Sequence, residues 1–232
     1  MLRRTELDYA LHYGTAAYFY RDRMAEVALA LAPEGFYLHR TCFPSPSRFN
    51  TMDPALQQIL LDVTNICQLF NMKHVSFGLE PHLFQEIVVS FGGRLNRFHQ
   101  LQNLPLPSSL DSVYHIGLTA FVTTLFLQCG RRRLIRYVLV AQCVKKAIER
   151  GVDEEHNDVL LWLLFIGGIS GLNELCGRDW LVSRIQRVAQ SLEIDDWATL
   201  RKLLGRFPWI GCLHDVAGKA LWGSVVEELQ RS

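Results

Sequence analysis

The densest group of side chains that could bind a metal lies in the segment DEEHND, residues 153–158, which contains four carboxylates and His156. Helical enzymes hold divalent cations with such groups when they recur three or four positions apart and a second acidic motif completes the site. Here that spacing is incomplete and no second motif occurs. Carboxylates at a helix start are also favoured by the helix dipole. The segment therefore predicts a helix start rather than a metal site.

The charge-free run VLLWLLFIGGISGL, residues 159–172, admits four interpretations. A membrane span needs about 20 apolar residues, and this run is too short. Its glycines, Gly167, Gly168 and Gly171, match neither phosphate-loop pattern. A hydrolase nucleophile turn at Ser170 would need a glycine where Leu172 stands. The run therefore predicts a buried helix that ends at glycine and allows another helix to approach closely.

The spacing of the histidines and cysteines matches no metal-binding motif. The eight histidines form neither an H-E-x-x-H motif nor a pair four residues apart, and no two of the six cysteines lie within ten residues of each other. Zinc modules need closely spaced ligand pairs, so none is predicted, and the thiols are expected to be reduced and buried in the core. The cysteines are Cys42, Cys67, Cys129, Cys143, Cys176 and Cys212.

Net charge argues against a direct nucleic-acid role. The formal net charge is +1, and the one dense basic cluster is RRRLIR, which begins at Arg131. That cluster suits a phosphate or a weak nuclear signal, but a charged helix start between two buried helices is favoured. The isolated chain is therefore expected not to bind duplex DNA tightly.

These observations assign no catalytic, cofactor-binding, metal-binding or nucleic-acid-contacting residue, and no cofactor. The chain is predicted not to be an enzyme. Its N-terminus, MLRRTELDYALHYG, lacks the apolar region of a secretory signal, so a soluble intracellular protein without a membrane segment is expected.

Apolar residues recur at helical spacing along most of the chain, and no alternating strand pattern stands out. The sequence predicts an all-α protein, an irregular array of about eight helices in a single domain. Its front half, residues 1–104, contains an irregular proline-rich connection at 33–50, and its C-terminal half covers 105–232. Between the halves lies the loop-like segment QNLPLPSS, residues 102–109. The predicted helices cover 53–72, 80–101 with an interruption or kink at Gly92-Gly93, 110–130, 131–151, 153–168, 178–192, 195–206 and 215–230.

Aromatic and glycine landmarks follow one another in a recognisable order in the C-terminal half. They are Trp162, Phe165, Gly167, Gly168, Trp180, Trp197, Leu204, Phe207, Trp209, Asp215, Gly218, Leu221 and Trp222. From about residue 110 to 231 this order resembles the C-terminal part of the regulatory domain of fungal-specific transcription factors, the family headed by a six-cysteine binuclear zinc cluster. Residues 5–104 are compatible with the helical front half of that domain.

The resemblance implies an all-α, nuclear, transcription-regulatory domain that contacts co-regulators or the transcription machinery. A homodimer and a small apolar effector are left open. In the family DNA is read by the zinc cluster, which needs six cysteines packed within about thirty residues. The dispersed cysteines here provide no match, so this chain is expected to be either the regulatory portion alone or a member without the DNA-binding head.

A second hypothesis is an all-α enzyme of fungal secondary metabolism similar to a terpene cyclase. DEEHND would then hold magnesium and a diphosphate, although it lacks the D-D-x-x-D spacing. The two hypotheses differ on whether Asp153, Glu154 and Asp158 face a deep aromatic cavity or open solvent.

Overall fold

A computed structural model describes residues 2–18, 20–34, 52–72, 81–101, 109–128, 137–151 and 153–229. Within these ranges the regular elements are helices and no strand occurs, which confirms the predicted all-α class. The α-helices are α1 (Leu2–Tyr13), α2 (Met24–Leu31), α3 (Pro54–Asn71), α4 (Pro81–Leu101), α5 (Ser109–Gln128), α6 (Val138–Arg150), α7 (Asn157–Ser170), α8 (Leu172–Cys176), α9 (Arg178–Ser191), α10 (Trp197–Leu204) and α11 (Gly211–Leu229).

The predicted number of about eight helices is too low, because the described residues contain eleven. The three that the sequence pattern did not reveal are α1, α2 and α8. Helices α2 and α8 have 8 and 5 residues, too few to establish a helical period. Helix α1 is mainly polar, so its buried positions Leu7, Ala10 and Leu11 give a weak signal. Most of the predicted connection at 33–50, the cluster RRRLIR and nearly all of the segment 102–109 lie outside the described residues.

The chain divides into two compact units, Met1–Asp111 and Ser112–Ser232. The predicted boundary between residues 104 and 105 lies slightly before this division, and the prediction of one continuous domain stays a prediction. In the described ranges no helix has both the length and the hydropathy needed to cross a bilayer.

The first unit is organised around α4, against which α1, α2 and α3 all pack. The buried face of α4 includes Ile87, Val88, Phe91 and Leu95. Helix α3 starts as predicted: the Asp53 carboxylate accepts hydrogen bonds from the N–H groups of Ala55 and Leu56, and proline occupies the first helical position.

Of the two alternatives predicted at Gly92-Gly93, an interruption is wrong, because α4 continues through both residues, and a kink stays a prediction. The ring of Tyr20 lies directly on Gly93: a Cβ built there would come within 2.1 Å of Tyr20 Cδ2 and Cε2. Three residues further, Asn96 accepts a hydrogen bond from Ala17 N–H (3.0 Å) and donates to Thr15 O (2.9 Å). The glycine thus makes room for the connection between α1 and α2, and packing offsets its poor helix propensity.

The second unit is organised around α7, which contacts α6, α8, α9, α10 and α11. Leu161 and the five residues after it are completely buried, as predicted for the charge-free run. The helix ends at Gly171, which has φ 115° in the left-handed region that favours glycine.

Gly167 and Gly168 lie inside α7, not at its end, and they admit close neighbours. A Cβ on Gly167 would approach Val144 Cγ1 of α6 to 2.8 Å, and one on Gly168 would approach Leu221 Cδ2 of α11 to 2.8 Å. The predicted close helix contact is therefore present on two sides of α7.

Substituting Gly93 by alanine tests whether the glycine is kept for space. Helix propensity alone would make alanine stabilising by up to about 1 kcal/mol. Because the methyl group collides with the Tyr20 ring, we expect Gly93→Ala instead to destabilise by roughly 1–3 kcal/mol. The measurement is thermal unfolding followed by circular dichroism.

The matched control is Gly223→Ala in α11, where a Cβ meets nothing within 4 Å and stabilisation is expected. Removing the ring with Tyr20→Ala should also abolish the penalty of Gly93→Ala in the double variant. Stabilisation by Gly93→Ala alone would show that the inferred contact is absent.

Candidate functional site

The acidic segment does not assemble a metal site. Asp153, Glu154 and Glu155 are exposed, and only Asp158 is buried. The Asp158 carboxylate accepts from Val159 N–H (2.9 Å) and lies 3.8 Å from Arg206 Nη2. Nowhere in the described part of the chain do three or more His, Cys, Asp or Glu side chains come together as they would around a metal ion. The carboxylates belong to a 3₁₀ turn and the first turn of α7, as the sequence favoured.

Ser170, the residue of the rejected nucleophile turn, has a structural role. Its hydroxyl donates to the carbonyl oxygen of Gly167 (2.9 Å), three residues earlier in the same helix. The same carbonyl also accepts from the N–H of Gly171, so the hydroxyl adds a second hydrogen bond at the C-terminal end of α7.

The aromatic landmarks meet in the core of the second unit. Trp162 is fully buried, donates its indole N–H to the carbonyl oxygen of Pro208 (3.1 Å) and stacks on Phe207 with ring centroids 5.5 Å apart. Helix α5 comes close to the same ring, because a Cβ on Gly117 would lie 2.5 Å from Trp162 Cζ3. These contacts fix the loop before α11 against α7.

A second part of this core is polar and contains His214, which has no exposed surface. Its Nδ1 accepts from Ile210 N–H (3.0 Å), and its Nε2 lies 2.9 Å from the hydroxyl oxygen of Thr124. Since that hydroxyl donates to Phe121 O (2.6 Å), it must accept the proton on Nε2. The imidazole is therefore neutral, with both nitrogens engaged.

Burial, and after it the positive charge of Arg201, lower the pKa of His214 to about 3. A histidine held neutral between two fixed partners positions α11 against α5 and is a poor candidate for a general base. The sequence offered no signal for this role, because scattered histidines look alike until tertiary packing brings their partners together.

Another network binds the indole of Trp209. Its N–H donates to Asp215 Oδ1 (2.7 Å), and the same oxygen lies 2.5 Å from Arg201 Nε. Gly218 is enclosed by the rings of Trp197 and Trp209, both 3.0 Å from a Cβ built on it. The landmark residues of the last two helices are thus explained by packing and hydrogen bonding.

The expectation that the cysteines are buried in the core is wrong for three of them. Cys67 is buried and reduced as predicted, but Cys143 and Cys212 are exposed and Cys176 is partly exposed. The pKa values of these three thiols are raised, mainly because the surrounding protein removes water from them. Thiols with raised pKa values are weak nucleophiles at neutral pH, so none is assigned a catalytic role. Cys42 and Cys129 lie outside the described residues.

The first unit contains a partly buried ionic cluster that the sequence did not indicate. Arg94 of α4 pairs with Asp62 of α3 (3.0 Å) and with Asp22 before α2 (2.8 Å). The Asp62 side chain is fully buried and also accepts from Gln58 Nε2 (3.0 Å). Burial disfavours the charge of Arg94, but the hydrogen bond and charge of Asp22 outweigh it, so its pKa lies above the ordinary value. Next to the cluster, burial first and Asp22 second raise the pKa of Tyr20 to about 12.

One surface combines an accessible aromatic ring with cations. Trp180 of α9 has Lys145 Nζ at 5.9 Å and Arg184 Cζ at 5.8 Å from its ring centroid. Arg187 continues the row, because positions 180, 184 and 187 share one face of a helix. Glu149 pairs with Lys145 at 3.7 Å. We call these five residues the Trp180 face; the sequence showed Trp180 only as a landmark.

Comparison with protein-family models, with curated proteins and with solved structures finds no match for this chain. The resemblance to the fungal regulatory domain therefore stays a prediction.

His214 gives a pH prediction. Its folded-state pKa of about 3 lies below the ordinary 6.5, so the unfolded chain binds the extra proton first. The resulting stability is complete above pH 6.5 and is lost as the pH falls toward 3. Between pH 7 and pH 5 this group should remove about 2 kcal/mol from the free energy of unfolding.

We expect His214→Gln to be destabilised at pH 7 and to show a shallower loss toward pH 5. All five tryptophans lie in the second unit, so urea denaturation followed by their fluorescence reports that unit. The control His82→Gln, at an exposed position of α4 in the first unit, should leave the transition reported by the tryptophans unchanged. Equal slopes in wild type and His214→Gln would contradict the assignment.

The Arg94 cluster gives a second prediction. Arg94→Met leaves the buried Asp62 carboxylate without its cation, and we expect a loss of about 3–5 kcal/mol, as for other broken buried pairs. The control is Arg97→Met, three residues after Arg94 on the exposed side of α4. It should change the free energy of unfolding by less than about 0.5 kcal/mol. Urea denaturation followed by circular dichroism measures both, and a similar loss in the two variants would refute the role of the cluster.

Proposed function

We propose that this chain is a transcription-regulatory helical domain that acts through contacts with co-regulators or the transcription machinery. It would work in the nucleus as the regulatory part of a fungal zinc-cluster-type transcription factor. DNA binding is assigned to a separate module, because the six cysteines here are too dispersed to form the zinc cluster. A homodimer and a small apolar effector remain open within the proposal.

The observation that carries the proposal is the order of aromatic and glycine landmarks from Trp162 to Trp222. It is supported by their location, since Trp162, Trp209 and Trp222 are buried and Gly167, Gly168 and Gly218 each admit a close neighbour in the second unit. If the chain descends from a common helical domain, the order of residues that pack in one core would be preserved. The all-α class agrees with the proposal.

The enzyme alternative lacks a supporting observation. A terpene-cyclase-like mechanism would need Asp153, Glu154 and Asp158 to face one deep aromatic cavity. Asp153 and Glu154 are exposed, and the buried Asp158 carboxylate accepts from Val159 N–H and lies 3.8 Å from Arg206 Nη2. His214, whose pKa is strongly lowered, already has partners for both ring nitrogens. The geometry therefore favours a binding domain over a catalyst.

Tethering to promoter DNA tests the proposed function. The full chain is fused to an unrelated DNA-binding domain and expressed with a reporter gene that carries the corresponding sites. We expect the reporter output to change at least about threefold, in either direction, relative to the DNA-binding domain alone.

Two variants make the result interpretable. Trp162→Ala removes the ring at the centre of the second unit, should destabilise it by about 3–5 kcal/mol and should abolish the effect. Gly223→Ala, which meets no neighbour within 4 Å, should preserve it. An unchanged reporter despite normal levels of folded fusion protein would argue against the proposal.

A further inference from the structure

We propose that the Trp180 face is the docking surface for an acidic, amphipathic protein segment that places an apolar side chain on Trp180. This inference deepens the proposed function, on which its biological meaning rests, by naming the chemistry of the partner and the residues that receive it.

The Trp180 face carries uncompensated positive charge. The Trp180 face contains three cations, Lys145, Arg184 and Arg187, against one carboxylate, Glu149. Among the described residues neither arginine forms an ion pair, and Arg184 has only its contact with the Trp180 ring. A carboxylate-bearing partner would supply the counter-charges and steer its own approach.

The Trp180 ring offers an accessible aromatic surface. Trp180 is partly exposed while its helical neighbours Leu181 and Ile185 are buried, so it lies at the edge of the core with part of its surface open. Tryptophan and arginine are the residues most enriched at the energetic centres of protein interfaces. Lys145 of α6 and Arg184 of α9 lie near the ring and limit its motion, which reduces the entropy lost when a partner binds. Cys176 borders the face, and the charges of Lys145 and Glu149 affect the pKa of its thiol.

The same arrangement favours a protein segment over nucleic acid. Nucleic acid draws most of its affinity from many phosphate contacts made by rows of cations, and the three cations of this face provide few. Glu149 within the face repels phosphates and carboxylates alike, but it could accept a backbone N–H, a donor that a peptide has and a phosphate backbone lacks. The net charge of +1 provides no wider positive field to assist nucleic acid.

The experiment uses the full chain and a fluorescent sixteen-residue probe peptide in which Asp and Glu surround Leu and Phe spaced three and four apart. Anisotropy at low salt measures its Kd. We expect Arg184→Gln/Arg187→Gln to weaken binding at least about fivefold and this difference to disappear at high salt, where exposed charges are screened. Trp180→Ala should also weaken binding, and Trp180→Phe should restore most of it.

The matched control is Lys202→Gln/Lys219→Gln, which removes the same two positive charges from exposed positions on α10 and α11. It should change the Kd less than about twofold, because exposed charges away from the contact contribute little. Two further peptides, one with Asn and Gln for the acids and one with Ser for the apolar residues, should each bind at least about fivefold more weakly.

Several outcomes overturn the inference. These are no binding of the acidic peptide at millimolar concentration, equal weakening by the two double variants, or equal binding of the neutral peptide. Displacement of the peptide by a single-stranded oligonucleotide at lower concentration would assign the face to nucleic acid instead. The tethered reporter separates the two proposals: if it responds and the peptide does not bind, only the docking surface is wrong. If the peptide binds through this face and the reporter is silent, the docking surface stands without the transcriptional role.

Discussion

The requirement to remove α7 from water on nearly every side determines the second unit. A helix with no charge between Val159 and Leu172 cannot present a solvent face, so α6, α8, α9, α10 and α11 all contact it. Gly167 and Gly168 allow α6 and α11 to reach its backbone, and Trp162 fills the space toward α5 and the loop before α11. Burial of α7 therefore brings five helices of the second unit into contact with one central element.

Several polar side chains in this apolar core are held by hydrogen bonds. Three buried threonines of α5, Thr119, Thr123 and Thr124, donate to carbonyl oxygens of their own helix. His214 then uses Thr124 and the backbone of Ile210. A buried polar atom without a partner would be costly, so these bonds select one arrangement of α11 against α5. They add specificity to a core whose apolar side chains alone would tolerate alternatives.

The first unit relies more on directed polar contacts. Its central helix α4 holds the irregular connection between α1 and α2 through Asn96, the space above Gly93 and the ion pair of Arg94 with Asp22. The same arginine reaches Asp62 of α3, so one side chain joins three segments. These contacts fix a stretch of chain that has no secondary structure of its own.

The sequence by itself determined the all-α class, the start of α3 at Asp53 and the burial of the charge-free run in α7. These follow from spacing, caps and charge, which are local properties. Only the tertiary structure decided that α4 continues through Gly92-Gly93, that His214 is neutral, that Arg94 pairs with two aspartates, and that Trp180 lies among cations. Each depends on residues tens of positions apart or on different helices, and no local pattern records which distant side chain will occupy a given space.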